Sequence, residues 1–142
     1  MAIKMRVLYN SKKKGMGQFA QAIASKYELP INATSGKFPP EYPCDKERIV
    51  ILMFSLKGEP SDVVRRFCGE LNKTRANNVA LVVDGNEAAA KRMKEILTAA
   101  GTNVVDEVFY VKTSFLSFLD KITPEEKDAL LAWTHKVVDG LQ

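Results

Sequence analysis

The chain has 142 residues, 46% of them apolar and 27% charged, which is enough to bury one continuous core and leads to the expectation of a single domain over residues 1–142. No apolar run is long enough to cross a bilayer and the N-terminus carries no hydrophobic leader, so a membrane span is argued against and the cytoplasm is the expected location. The net charge of +4 is unevenly spread: Lys4, Arg6, Lys12, Lys13, Lys14 and Lys26 have no acidic residue among them, a pattern that attracts phosphates, nucleic acid or an acidic protein surface and that also occurs as a plain solvated face.

The first apolar run, Met5–Tyr9 (MRVLY), is short and nearly continuous, as suits a strand covered on both faces. Phe19, Ile23 and Tyr27 follow at helical spacing with Ala20 and Ala24 beside them, predicting a helix. A weaker strand is predicted at Pro30–Ala33. Residues 34–47 (TSGKFPPEYPCDKE) hold Pro39, Pro40 and Pro43, which argues for a loop where a second crossover helix would otherwise stand. The second strong strand is Arg48–Phe54 (RIVILMF). Behind a Ser61 cap, Val63, Val64, Phe67, Cys68 and Leu71 form the next helical stripe. Val79–Val83 (VALVV) is another buried strand. Ala89, Met93, Ile96, Leu97 and Ala100 then make a helix opened by Asn86 and stopped by Gly101 in a left-handed cap. A last strand is predicted at Asn103–Lys112. The final helix is announced by Thr123-Pro124-Glu125-Glu126, an N-cap, a first-position proline and a capping-box glutamate. Leu130, Leu131, Thr134, Val137, Val138 and Leu141 share one of its faces.

Strands alternating with helices in this way describe an open, doubly wound α/β domain with five parallel strands. Ligands of such domains bind beyond the carboxyl ends of the strands. The turns at that edge are residues 10–18, 55–61, 84–86 and 113–117. The first turn (NSKKKGMGQ) is short, basic and leads directly into a helix, whose amides and macrodipole favour an anion. Gly15 and Gly17 let backbone amides approach a phosphate closely. It is neither a GxxxxGK[ST] P-loop nor a GxGxxG fingerprint.

The stretch SKKKGMGQFA, with Ser11 and Ala20 at the right spacing after a strand and before an Ala-rich helix, resembles the phosphate loop of flavodoxins. Lys14 stands where that family usually has glycine, and Met16 where it usually has threonine. Ser55-Leu-Lys-Gly-Glu-Pro-Ser61 is similar to a loop of some flavodoxin-like domains. The resemblance implies a flavodoxin-like three-layer α/β/α sandwich, a five-stranded parallel sheet of order 2-1-3-4-5, and bound FMN. It would place the phosphate on Ser11, Lys12, Lys13, Lys14, Gly15, Met16, Gly17 and Gln18. The ring would lie between the turn of Phe54, Ser55, Leu56, Lys57 and Gly58 and the turn of Asp84, Gly85 and Asn86. On their own chemistry, Ser11 offers a hydroxyl donor, the three lysines offset the missing threonine hydroxyl, and Phe54 serves equally as a ring neighbour or as a core residue. Asp84 accepts from a ligand N–H or shapes its turn.

The function expected from the resemblance is electron transfer by FMN between a reductase and a partner oxidoreductase whose docking surface is acidic, the chain acting as a monomer or weak dimer. Two other readings stand beside it: a flavodoxin-like interaction module without tight FMN binding, and a small flavin-dependent reductase. A phosphoryl-accepting receiver is excluded because Asn10-Ser11 and Phe54-Ser55 replace the acidic residues it needs. A thiol phosphatase or phosphocarrier would want a cysteine after the first strand, whereas Cys44 sits in the proline-rich loop and Cys68 on an apolar stripe. Both cysteines read as free thiols, and one histidine, His135, leaves little for a metal site. The basic turn lacks interleaved aromatics, so no nucleic-acid role is expected. Thr113–Lys121 (TSFLSFLDK) reads as a short packed helix or an apolar patch for a partner.

Overall fold

The computed structural model describes residues 4–11, 14–38, 40–56, 59–111 and 123–141, without the side chain of Lys14. Of the residues singled out above, Lys12, Lys13, Pro39, Lys57, Gly58, Lys112 and the segment Thr113–Lys121 lie outside these. The elements are β1 (Met5–Asn10), α1 (Lys14–Lys26), β2 (Thr34–Ser35), β3 (Ile49–Ser55), α2 (Asp62–Gly69), β4 (Asn78–Asp84), α3 (Glu87–Ala100), β5 (Asn103–Val104), β6 (Phe109–Tyr110) and α4 (Pro124–Asp139).

The strands form one parallel sheet of order β2-β1-β3-β4-β5, with β6 also paired to β4. The fold is a flavodoxin-like α/β sandwich. Residues alternate between the two faces of each strand. Met5 and Val7 of β1 and Ile49, Ile51 and Met53 of β3 face one core, shared with Phe19 and Ile23 of α1 and Leu130, Trp133 and Val137 of α4. Leu8, Val50, Leu52 and Phe54 face the other core, shared with Val64 and Cys68 of α2 and Met93 and Leu97 of α3. All seven residues of β4 are buried, which is why its sequence is apolar without alternation.

The helix ends follow local chemistry. Ser61 accepts from the Val64 amide, and Asn86 from the Ala89 amide at 2.9 Å. Thr123 and Glu126 close a full capping box. Gly101 ends α3 at φ 110°, a left-handed conformation in which a Cβ is strained.

Four expectations are corrected. The second strand is Thr34–Ser35 rather than Pro30–Ala33. Ile31–Ala33 instead forms a 3-10 turn, closed by the Ala33 amide on the Pro30 carbonyl at 2.9 Å. Of the turn's residues Ala33 is buried while Ile31 is 91% exposed, so the run lacks the continuous burial of a covered strand. The proline-rich segment is accordingly a loop only after its first two residues. The strand expected over Asn103–Lys112 is broken into β5 and β6. Between them the carbonyls of Asp106 and Glu107 accept from Lys94 Nζ at 2.7 Å and Trp133 Nε1 at 3.1 Å, side-chain donors in place of a ladder. Val63, placed on the apolar stripe, is exposed.

With no helix between β2 and β3, the loop itself covers that part of the sheet. Phe38 packs on Phe54 and Phe67 with ring centroids 5.8 and 5.2 Å apart. Cys44 is buried beside them in the same core. Among the described residues no helix is long and apolar enough to cross a membrane.

Candidate functional site

The sheet order reverses at β1, which has β2 on one side and β3 on the other. That is the position at which doubly wound domains open a crevice for ligands. The parallel register sets Asn10 opposite Phe54 and Ser55 opposite Asp84. The three strand ends therefore meet through side chains. Ser11 Oγ lies 2.7 Å from Ser55 Oγ, and Ser55 Oγ donates to Asp84 Oδ2 at 3.1 Å. Asp84 is 4% exposed. A hydroxyl has one proton to give and a carboxylate can only accept. With Asp84 ionised, Ser55 spends its proton on the carboxylate, and Ser11 must be the donor in the 2.7 Å contact.

The remaining residues of the first turn divide between two surroundings. Lys14 begins α1, and Gly15 and Met16 are buried in its first turn. Met16 is fully enclosed in the core with Phe19 and Ile23, so its side chain is spent on packing. Gly17 and Gln18 line a groove of about 550 Å³ along α1, with Tyr9, Gln21 and Lys127.

Across the sheet, Phe54 is fully buried on the face away from α1. Leu56 is half-buried, and its amide donates to the Asp84 carbonyl at 2.9 Å. Gly85 sits beneath it: a Cβ at position 85 would lie 2.9 Å from the Leu56 carbonyl oxygen. The glycine is thus required where the two turns touch, and no side chain fits there without moving backbone. Asn86 uses its side chain to cap α3.

Sequence reasoning named Ser11, Ser55 and Asp84 separately and missed that they form one chain. Aligning the last apolar residues of β3 and β4, Phe54 and Val83, brings Ser55 beside Asp84, whereas Ser11 joins them only through the observed register, in which Asn10 lies opposite Phe54. It also missed Tyr9. This half-buried ring stands beside Gly17, whose Cβ would lie 3.4 Å from Tyr9 Oη. Also at the carboxyl edge, an apolar cavity of about 440 Å³ is walled by Phe19, Phe109, Tyr110 and Ala129. Tyr110 is held above its ordinary pKa by burial and then by Glu87. A further cavity of about 710 Å³ lies at the amino end, between Asn77, Asn78, Asn103 and the end of α4, away from the edge that carries the basic turn.

The two thiols have a different character. Burial pushes Cys44 up to about 11, with Arg6 pulling it down less strongly, and burial alone pushes Cys68 up to about 12. Since the thiolate is the nucleophile, both are inert near neutrality. A thiol-labelling time course on folded protein at neutral pH is expected to leave both unmodified, whereas urea-unfolded protein reacts at both. The sign of the linked stability follows from the raised values. The buried thiols favour folding fully below the ordinary value of 9.0, and this contribution is lost as pH climbs towards 11 to 12. Urea unfolding across that window, compared with a Cys44→Ala/Cys68→Ala chain, measures it; equal slopes in the two proteins would refute the assignment.

Among the described residues, no group of three or more His, Cys, Asp or Glu side chains is arranged to hold a metal ion. Neither a family model nor a curated protein matches the chain.

Proposed function

We propose that this chain is an FMN-binding, flavodoxin-like electron carrier that works in the cytoplasm between a reductase and an oxidoreductase with an acidic docking surface. The observation that carries the reading is the basic turn SKKKG, which leaves β1 at the strand-order reversal, with Ser11 held against Ser55 and Asp84.

The residues fit the phosphate end of the cofactor. The amides at the start of α1 are donors, and the three lysines of the turn supply the charge. At the ring end, the turns after β3 and β4 supply Leu56 and backbone groups around Gly85. Among the described residues, the aromatics of this edge that are not fully buried include Tyr9, Phe109 and Tyr110. FMN supplies the one- and two-electron chemistry when bound. The chain's own part is to hold the phosphate, orient the nucleotide at the carboxyl edge, and present a basic face to the partner.

An absorption spectrum of the purified protein, then FMN titration followed by quenching of flavin fluorescence, tests the proposal. Saturable stoichiometric quenching at low micromolar FMN is expected. Lys12→Gln/Lys13→Gln/Lys14→Gln is expected to weaken binding about severalfold to tenfold, because a single charge–charge contact in water commonly contributes roughly 1 kcal/mol or less. Full affinity in that variant would make the lysines a solvated or docking face. A second reading, an interaction module without tight FMN binding, is favoured by the burial of Met16 and the close contact of Leu56 with Gly85. A protein indifferent to FMN would establish it.

A further inference from the structure

The outer edge of the sheet, at β2, gathers apolar side chains at the surface. Ile31 is 91% exposed and Tyr42 53%, two of the four large apolar side chains that are exposed among the described residues. Both border one hollow of about 240 Å³ beside β2, together with Asn32, Lys37 and Glu41. Single exposed apolar residues are ordinary, whereas a shared apolar face rimmed by polar groups marks an interaction surface.

The chain that presents this face is seated at three points. A Cβ at Gly36 would lie 2.6 Å from the ring of Tyr9, so the glycine rests against a residue of β1. Phe38 packs on Phe54 and Phe67. Arg6 of β1 donates from Nη1 and Nη2 to the carbonyls of Pro43 at 3.3 Å and Tyr42 at 2.9 Å. Lys37, Glu41 and Tyr42 lie among these anchors. A surface held in place beforehand gives up less conformational freedom when a partner arrives.

The charges decide which partner. The exposed charges of the lining are one of each sign, Lys37 at 71% and Glu41 at 66%, 3.7 Å apart. A uniformly acidic or uniformly basic partner would set a like charge against one of them. A second copy of the chain would not. Under a twofold rotation Lys37 of each copy meets Glu41 of the other, and neither charge is left unmatched. The net charge of +4 makes two copies repel over most of their surface, which favours a locally balanced face for their approach. Because β2 is only two residues long, the contact runs through side chains rather than through an added strand.

We propose that this edge is the interface of a weak, twofold-symmetric homodimer, built from Ile31, Tyr42, Lys37 and Glu41 and independent of whether FMN binds at the carboxyl edge. A face resting on four main side chains buries less than the roughly 1,200 Å² at which stable complexes begin, so the two copies associate only when concentrated.

Sedimentation equilibrium of the full chain tests this. The mass is expected to rise from the 15.8 kDa of one copy towards twice that between micromolar and millimolar concentration. Ile31→Ser/Tyr42→Ser is expected to weaken association at least about tenfold, as the loss of central apolar anchors commonly does. Lys37→Glu and Glu41→Lys each set like charges across the twofold, and each is expected to weaken association by a similar factor. Mixed in equal amounts, these two charge variants are expected to associate again, an acidic face against a basic one. All four positions are exposed, so the circular dichroism of every variant is expected to match that of the unaltered chain. The proposal is overturned if the unaltered chain keeps the mass of one copy up to about 1 mM. It is equally overturned if the variants dimerise with undiminished affinity, or if the mixed charge variants stay apart.

Discussion

Phe54→Ala is expected to lower the unfolding free energy by about 3–5 kcal/mol and to leave FMN affinity nearly unchanged in the protein that remains folded. Phe54 is the penultimate residue of β3, next to the turn assigned to the flavin ring, and position alone would make it a ring neighbour. Its side chain points to the other face. It is fully buried, packs on Phe38 at 5.8 Å between ring centroids, and shares a core with Val64, Cys68, Met93 and Leu97. Removing the ring leaves a void below the proline-rich loop, which relies on Phe38 for its seat, so the loss should fall in the upper part of that range. Phe54→Leu, which fills more of the space, should recover much of it. Urea unfolding followed by far-ultraviolet circular dichroism gives the first quantity, and the FMN titration gives the second. A variant of near-native stability that no longer quenches flavin fluorescence would mean that the ring reaches the ligand.

The difference between what the chain reveals before and after folding has a physical pattern. Long buried strands declare themselves because every position is apolar, as in VALVV, and helix ends do so because caps are local: Ser61, Asn86, Thr123 and Gly101 each act on residues within one turn. Short edge strands carry no such signal. Thr34 and Ser35 are half-buried and polar, and they become a strand because β1 is there to pair with them through Val7 and Leu8. The break between β5 and β6 depends on Lys94 and Trp133, residues 12 and 26 positions away from the carbonyls they satisfy. The candidate site divides in the same way. Its charge and glycines were visible in residues 10–18, but the Ser11–Ser55–Asp84 chain depends on the register of three strands. Arg6 had a known charge, yet nothing local foretold that a loop some 37 positions later would bind both of its Nη atoms, leaving Nε without a partner among the described residues.

Met16→Thr introduces the residue that flavodoxins usually carry at the position this turn resembles, and it is expected to destabilise the protein by about 2–4 kcal/mol without tightening FMN binding. If the first turn were a phosphate loop that merely lacked a hydroxyl, threonine would add a donor to the ligand and affinity would rise. The side chain at position 16 is instead fully enclosed in the core between the sheet and α1, in the cluster that holds Phe19, Ile23, Leu130 and Trp133. Threonine there is smaller, leaves a cavity, and brings a hydroxyl into apolar surroundings. Any phosphate affinity of this turn must therefore come from backbone amides and lysines, which is the same premise that makes the triple-lysine variant informative. Thermal or urea unfolding alongside the FMN titration separates the two accounts. Tighter FMN with little loss of stability would mean that residue 16 can turn towards the ligand and that methionine withholds a phosphate contact there. Lower stability with unchanged or weaker FMN would mean that residue 16 serves core packing, and that any recognition by this turn rests on its amides and charge.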